Sequence, residues 1–262
     1  MCGIAGYSID IESTVDRTLA AQALLAGIAE RGADAVGVAY RAGDGIEVIK
    51  QQTGASALLE QLALPSSTEQ LIVHVRDYTK GHPTIEANNH PIRHGAVVGV
   101  HNGIIENDDA LLERHSLERA HPDMTVDSEA IFALVDARPG DVKALEELHG
   151  AMATAWLDER NPTTLWLARG VGRPLWLGHS REGIFFASTP GGLELAARAL
   201  RIELRLEEVG HGRVLHLVEG RVARKERFRV PRYREARSLP SVRAPHEGTS
   251  CLQRLQAIAS FT

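Results

Sequence analysis

The chain begins with the sequence MCGIAGYS at residues 1–8, in which a short apolar run with interspersed glycines follows directly on Cys2. Such a run predicts a buried β-strand that starts almost at the chain terminus, with Cys2 at its head. A lone cysteine in this position is most often a small buried hydrophobe. A chemical role for Cys2 therefore depends on what the rest of the chain places beside it.

The other elements are predicted from hydrophobic periodicity and turn residues. Apolar residues recur at helical spacing from residue 14 to residue 28, and Arg31-Gly32 provides a stop signal. Runs of strands separated by pairs of helices predict an α+β fold, in which antiparallel sheets carry helices on their outer faces. Further helices are expected at residues 57–62, 106–115, 128–137 (with Asp127 as a candidate N-cap) and 192–200. Strands are expected at residues 36–40, 46–49, 71–75, 96–101, 151–157, 164–168, 175–178 and 184–187, and in a hairpin at 214–222.

The composition argues against several classes of protein. Of the 262 residues, 44% are hydrophobic and 24% charged, as in an ordinary globular protein. A net charge of -5 argues against nucleic-acid binding, which needs clustered Lys and Arg. The sequence has no apolar run near the roughly 18 residues of a membrane span and no signal-peptide pattern, so we expect no membrane association and a cytoplasmic location. Two cysteines, Cys2 and Cys251, are too few for a disulfide framework or a cysteine-based zinc site, and the histidines lack metal-ligand spacing, so no metal and no other cofactor is expected.

Residue 230 marks a change in composition. From there Arg, Pro and Ser dominate, with few apolar residues before Leu252. The sequence predicts one domain at residues 1–229, followed at residues 230–262 by a linker-like C-terminal tail with a short terminal helix and a candidate role in docking a partner.

Six short motifs follow one another along the chain. Each is a weak signal alone, but their order and combination are specific. The motifs are MCGI at residues 1–4, RGAD at 31–34, HVR at 74–76, NNHP at 88–91, HNGIIEN at 101–107 and VDSE at 126–129. Over residues 1–225 this set resembles the class II glutamine amidotransferases, and most closely the glutaminase domain of glucosamine-6-phosphate synthase. The resemblance implies the four-layer αββα sandwich of N-terminal nucleophile hydrolases, in agreement with the strand and helix pattern.

The resemblance also implies a nucleophile: Cys2, exposed by removal of Met1, would attack the side-chain amide of glutamine. A free thiol is mostly protonated at neutral pH, and a newly exposed α-amino group, with a pKa of about 7.7 to 8.0, can accept its proton. Asn102 and Gly103 match the family's oxyanion donors, through a side-chain amide and a backbone N–H respectively. The structural alternative for Asn102-Gly103 is a type I′ turn after the preceding strand.

Three residues match the family's contacts to the substrate's head group. Arg76 would hold the α-carboxylate through its planar guanidinium, and Asp127 would bind the α-ammonium group. Taken alone, Arg76 would be interpreted as a surface arginine and Asp127 as a helix N-cap. Thr79 occupies the position of a substrate-binding threonine.

Two further matches concern the surroundings of the nucleophile. Arg31 matches an arginine that helps fix the catalytic loop, with an exposed helix-end residue as its alternative. His90 has two open roles, either contact with the substrate's carboxylate region or ordering of its loop together with Pro91.

The clearest departure from the family lies at residues 77–81, which have the sequence DYTKG where close members have WATHG. Asp77 and Lys80 thus replace a tryptophan and a histidine in a loop that can close over glutamine. A preference for another γ-glutamyl amide is one consequence to test.

The resemblance implies that the domain releases ammonia, which needs an acceptor. After residue 230 the sequence leaves no room for a synthase domain of ordinary size. We therefore expect a glutaminase subunit that supplies ammonia to a separate synthase. Two alternatives stay open: an autonomous amidase that acts on a γ-glutamyl or other small amide, and a catalytically dead module that senses glutamine if Met1 is retained.

Overall fold

The computed structural model describes residues 1–43, 45–235 and 240–259. No helix within these ranges has the length and apolarity needed to cross a bilayer. The strands and α-helices are, in chain order, β1 (Gly3–Ile9), α1 (Arg17–Ile28), β2 (Ala35–Ala42), β3 (Gly45–Gln51), α2 (Ala55–Leu59), β4 (Gln70–Arg76), β5 (Ile92–His94), β6 (Val97–Ile105), α3 (Asp108–Arg114), α4 (Glu129–Ala137), β7 (Gly150–Asp158), β8 (Asn161–Arg169), β9 (Trp176–His179), β10 (Gly183–Ala187), α5 (Pro190–Leu200), β11 (Arg205–Glu208), β12 (Arg213–Val218), β13 (Arg221–Arg227) and α6 (Pro245–Ala259). Short 3-10 helices lie at Ala29–Arg31, Glu86–Asn88 and Val142–Glu147.

Two antiparallel sheets stack face to face. The first has seven strands in the order β11-β9-β10-β1-β4-β2-β3, and the second has six in the order β13-β12-β8-β7-β6-β5. Apolar side chains of both inner faces, among them Ile4, Ile72, Val100 and Leu167, form the core between the sheets. Helices α1, α2, α5 and α6 pack in the layer outside the first sheet, and α4 packs outside the second. This arrangement confirms the predicted four-layer αββα sandwich of N-terminal nucleophile hydrolases.

Strand β1 lies at the centre of the first sheet, between β10 and β4, and all of its residues are buried. Its apolar run suits burial on both faces, since Ala5 packs toward the helices and Ile4 toward the second sheet. Gly3 pairs with Val75 of β4, so Cys2 comes to lie beside the end of β4 at Arg76. The register of two central strands therefore brings a cysteine and an arginine together.

Most predicted elements are confirmed, and the differences have physical reasons. The structure adds two edge strands, β5 and β11, which are too short for an alternating pattern to be recognised in the sequence. Strand β6 continues to Ile105, so helix α3 begins at Asp108 and not at residue 106. The type I′ turn considered for Asn102-Gly103 is wrong, because both residues lie inside β6 and pair with β7.

The C-terminal tail contributes helix α6 to the outer layer of the first sheet. The predicted terminal helix is confirmed, and it is 15 residues long. Cys251 and Leu255 are fully buried in the core that α1 and α5 form on the sheet. Glu247 accepts hydrogen bonds from the backbone N–H and the hydroxyl of Ser56 in α2. The domain division at residue 229 stays a prediction, and residues 236–239 and 260–262 of the tail lie outside the described residues.

Candidate active site

Cys2 lies at a narrow cleft. Its half-buried thiol is 3.3 Å from the carbonyl oxygen of Asp77, to which it can donate, and the Asp77 backbone N–H donates to Sγ at 3.4 Å. Burial raises the pKa of the Cys2 thiol, and the Asp77 N–H together with nearby positive charge opposes this shift only in part. A base is therefore needed to form the thiolate. The other residues lining the cleft are Arg76, Asp77, Tyr78, Thr79, Lys80, His90, His101, Gly103, Val126, Asp127 and Ser128.

Arg31 anchors the backbone of Cys2. It ends the 3-10 helix that follows α1, it is only 2% exposed, and its Nε donates to the Cys2 carbonyl oxygen at 2.9 Å. The alternative of an exposed helix-end residue is therefore wrong. Gly32 is required by close packing, since a Cβ there would lie 2.3 Å from the backbone of Arg76.

Asn102 and Gly103 approach from the second sheet. The buried Asn102 amide lies 3.5 Å from the hydroxyl of Ser188, and this hydroxyl accepts from the Ile4 N–H of β1 at 3.0 Å. A Cβ on Gly103 would lie 1.8 Å from the carbonyl oxygen of Ala151, so only glycine fits there. Ser188 belongs to none of the sequence motifs, and its single signal is its position directly after β10.

Arg76 lies inside the cleft wall with 2% of its surface exposed, so the alternative of a surface arginine is wrong. Its guanidinium donates to the side-chain oxygen of Asn89 and to the carbonyl oxygens of Lys80 and Gly81. These bonds hold residues 80 and 81 close to the end of β4. Arg76 thus combines a buried positive charge with control of the adjoining loop.

Asp127 provides the opposite charge in the same cleft. Its Oδ2 accepts from the Ile105 N–H at 2.7 Å, and it is 3% exposed. Burial raises its pKa to about 6. Within the described residues no cation forms an ion pair with this carboxylate. The N-cap prediction for Asp127 is wrong, because Ser128 occupies the cap position of α4 and its side chain makes no capping bond.

Two buried histidines, His90 and His101, line the cleft, and a third, His74, lies behind them in contact with both. His101 accepts from the Ser128 hydroxyl at 2.8 Å through Nδ1 and donates to the Ala151 carbonyl at 3.2 Å through Nε2, as the neutral ring requires. His74 donates through Nε2 to the His101 carbonyl at 3.1 Å. Burial lowers the pKa of His74 and of His101 to about 3, so both are neutral at physiological pH.

His90 stacks on His74 with ring centroids 4.1 Å apart. It is 3% exposed, and within the described structure neither of its ring nitrogens has a hydrogen-bond partner. Burial lowers the pKa of His90 well below its ordinary value, so the ring is neutral. A neutral imidazole keeps one donor and one acceptor, and both are available here for a ligand or a water molecule.

Thr79 and Lys80 lie at the mouth of the cleft. Thr79 is exposed, whereas the Lys80 Nζ forms ion pairs with Asp108 at 2.6 Å and Asp109 at 2.9 Å. Among the described residues, no group of three or more His, Cys, Asp or Glu side chains is arranged to hold a metal ion.

Comparison with known sequences finds related proteins. A family model described as a glutamine amidotransferase domain matches residues 79–194. The chain is 33% identical over 207 residues to the isomerizing glutamine–fructose-6-phosphate aminotransferase of Helicobacter pylori, a match that covers 72% of this chain and 32% of that protein. The protein of the same name from Haemophilus ducreyi is 32% identical over 252 residues, which cover 90% of this chain and 37% of the relative. The chain thus spans about a third of the length of these curated relatives.

Solved structures are similar in fold. Glutamine phosphoribosylpyrophosphate amidotransferase from B. subtilis superposes with a TM-score of 0.67 at 21% identity, covering 86% of this chain and 49% of that chain. A glutamine aminotransferase class-II domain protein from Silicibacter pomeroyi superposes with a TM-score of 0.55 at 19% identity, covering 87% of this chain and all 100% of that chain.

Proposed function

Because this chain contains a class II glutamine amidotransferase domain with the N-terminal nucleophile hydrolase fold, we propose that it hydrolyses the side-chain amide of glutamine through Cys2 once Met1 has been removed. One observation carries the proposal: Cys2, Gly103 and two buried charges of opposite sign, Arg76 and Asp127, line one cleft. This set provides a nucleophile, an oxyanion donor and complementary charges for the head group of an α-amino acid.

In the proposed reaction the free α-amine of Cys2 takes the thiol proton, and Sγ forms a bond to the δ-carbon of glutamine. The negative charge that develops on the amide oxygen is stabilised by the Asn102 side-chain amide and the Gly103 N–H. The α-ammonium returns the proton to the leaving nitrogen, the C–N bond breaks, and ammonia departs from a γ-glutamyl thioester. Water then hydrolyses the thioester, which restores the thiol and releases glutamate.

Substrate recognition is assigned to the two buried charges. Asp127 is ionised above about pH 6 and has no cationic partner among the described side chains, so it suits the α-ammonium group. Arg76 faces the same cleft and would hold the α-carboxylate. Its guanidinium already donates to two loop carbonyls, so carboxylate binding and the position of the loop are linked through Arg76.

Three further residues receive proposed roles. Thr79 would donate its hydroxyl to the substrate from the mouth of the cleft. His90, whose ring nitrogens have no hydrogen-bond partner among the described residues, would contact the carboxylate end of the substrate directly or through water. Arg31 would keep the Cys2 backbone in place during attack, since its Nε already bonds the Cys2 carbonyl.

Removal of Met1 decides whether the site has a base. With Met1 present, its ammonium group pairs with Asp77, and the nitrogen of Cys2 is part of a peptide bond that cannot accept a proton. We therefore propose that the chain is inactive until Met1 is removed. If the cell retains Met1, the same cleft could still bind glutamine, and the glutamine-sensing alternative would apply.

We further propose that the ammonia is consumed by a separate synthase. Two relatives are, by name, aminotransferases that act on glutamine and fructose 6-phosphate, and this chain matches about a third of their length. The competing proposal is an autonomous amidase on a γ-glutamyl or other small amide, which the Asp77 and Lys80 replacements favour.

Affinity labelling tests the proposed function. The reagent 6-diazo-5-oxo-norleucine resembles glutamine, and its diazo carbon, which stands at the position of the amide nitrogen, alkylates a nucleophile with loss of dinitrogen. We expect an intact mass that lacks Met1 and carries one adduct, with the adduct located on Cys2 by peptide mapping and prevented by excess glutamine. Cys251 serves as the internal control, because it is fully buried in the helical layer. Labelling of Cys251 would contradict the proposal, and so would a chain that lacks Met1 but carries no label.

A further inference from the structure

The loop at residues 77–81, here called the cleft loop, forms an ion pair near each end. Asp77 accepts from the Nε of Arg243 at 3.0 Å, and Arg243 belongs to the segment that leads into α6. At the other end the Lys80 ammonium lies 2.6 Å from the carboxylate of Asp108, the first residue of α3. Two distant parts of the chain therefore hold one short loop.

The same loop touches the nucleophile. Its first residue, Asp77, contacts the Cys2 Sγ through both its N–H and its carbonyl oxygen. The N–H of Tyr78 donates to the carboxylate of Asp34 at 2.9 Å. Movement of the loop would therefore move the polar groups around the thiol.

The two ion pairs are partly shielded from water. Asp108 is 3% exposed in its side chain and also pairs with Arg119 at 3.2 Å, so its position is fixed. Burial alone would lower the pKa of Lys80, but the hydrogen bonds to Asp108 and Asp109 raise it, which shows a favourable environment for the charge. The Asp77–Arg243 pair is only partly shielded, since the side chain of Asp77 is 17% exposed and that of Arg243 is 42% exposed.

Removal of Met1 increases the share of Arg243 in holding Asp77. In the Met1-bearing chain Asp77 has two cationic partners, the Met1 ammonium group and Arg243. Loss of Met1 removes the first. The side chain of Arg243 is well placed to remain, because its backbone N–H donates to the Glu30 carbonyl at 2.9 Å.

We propose that Arg243 and Lys80 are positioning residues that hold the cleft loop beside Cys2 before substrate binds, Arg243 through Asp77 and Lys80 through Asp108. The value of this arrangement for catalysis rests on the proposed function. It makes part of the C-terminal tail a contributor to the site, and it gives the two departures from the family pattern, Asp77 and Lys80, one shared task.

Hydrogen exchange of the Met1-free full chain, followed by mass spectrometry of a peptide that contains residues 77–81, tests the proposal without any need for activity. Arg243→Gln and Lys80→Gln should each speed exchange in this peptide by about threefold, and the double variant by about tenfold, as expected for additive, partly exposed ion pairs. Arg243→Lys and Lys80→Arg, which keep the charge, should stay near the parent rate. Raising the salt concentration should speed exchange in the parent and leave the double variant unchanged.

Matched controls separate positioning from general stability. Arg254→Gln removes an ion pair between α6 and Glu60, and Lys143→Gln removes one to Glu146, both away from the cleft. Neither should alter exchange of the cleft loop. Unchanged exchange of the cleft loop in the double variant would overturn the proposal. The proposal would also fail if Arg243→Gln sped exchange in α6 as much as in the cleft loop, because the effect would then reflect a general loss of stability. If the loop responds as expected but the chain does not hydrolyse glutamine, the proposed function fails and the positioning role stands.

Discussion

The carboxylate of Asp127 accepts a hydrogen bond from the backbone N–H of Ile105 at 2.7 Å, which joins the start of α4 to the end of β6. The same carboxylate is 3% exposed and has no ion-pair partner within the described residues. A buried charge with one hydrogen bond is costly to the fold. It is suited to a ligand that brings a cation.

The first prediction concerns stability. Burial raises the Asp127 pKa to about 6 in the folded chain, so the folded state binds the proton more tightly than the unfolded state does. The cost of ionising Asp127 is then absent below its unfolded pKa of about 3.9 and fully present above about pH 6. Asp127→Asn should therefore gain about 1 to 3 kcal/mol in free energy of unfolding relative to the parent at pH 8, and little at pH 4. Urea unfolding at both values checks this, and a less stable variant at pH 8 would refute it.

The second prediction concerns glutamine binding and pH. The α-ammonium group needs ionised Asp127, so the dissociation constant should rise by about tenfold per unit as pH falls below about 6, and level off above about 7. His74 and His101 do not titrate in this window, because burial holds their pKa values at about 3. Calorimetry on a Met1-free Cys2→Ala chain avoids turnover. Asp127→Asn in the same background should bind weakly at every pH, and tight binding by that variant would exclude the head-group role.

The third prediction separates transition-state stabilisation from binding. Asn102→Ala should lower kcat by about 10²- to 10³-fold with KM nearly unchanged, because an oxyanion donor acts mainly in the transition state. Ser188→Ala should give a smaller loss, since the Ser188 hydroxyl acts through the Asn102 amide, 3.5 Å away, besides its bond to the Ile4 N–H. Steady-state kinetics with glutamine measures both. A large rise in KM at constant kcat for Asn102→Ala would place this residue in substrate binding instead.

The fourth prediction concerns the C-terminal helix. Leu255 is fully buried in the helical layer, so Leu255→Ala should lower the free energy of unfolding by about 2 to 5 kcal/mol. Leu252 lies on the same helix but is 38% exposed, and Leu252→Ala is the matched control with a smaller expected loss. If thermal unfolding shows the same small loss of stability for both variants, helix α6 does not contribute to the core of the domain.

Much of the fold could be predicted from the sequence, because β1 and β4 are largely apolar runs of strand length and α1 is an apolar stretch too long for a typical strand. The edge strands β5 and β11 could not be predicted, because strands of three and four residues are too short to show an alternating pattern. Helix α6 could be recognised as a helix, but its packing rests on only two buried residues, Cys251 and Leu255, whose spacing of four places them on one face.

The candidate site was predicted as a set of residues, without its internal contacts. Motif order predicted that Arg76, Asn102 and Asp127 belong to one site. In the structure Arg76 and Asp127 line one cleft, and Asn102 precedes Gly103, which lines the same cleft. The contact between Asp77 and Arg243 joins residues that are 166 positions apart and depends on where α6 packs, so no local sequence pattern predicts it. Likewise, Asp127 was a good N-cap by local preference, and the tertiary bond from Ile105 displaced that role.

The central claim is that Cys2 acts as an N-terminal nucleophile, and one measurement tests it most directly. The chain is produced with a removable N-terminal tag in place of Met1, designed so that a specific protease leaves Cys2 as the first residue, and kcat for glutamine is measured before and after cleavage. Cys2→Ala and Cys251→Ala carry the same tag as controls. We expect cleavage to raise kcat by about 10²- to 10⁴-fold in the parent and in Cys251→Ala, the range of general-base catalysis, and to leave Cys2→Ala inactive. Equal activity of the tagged and cleaved chains, or activity in cleaved Cys2→Ala, would contradict the claim.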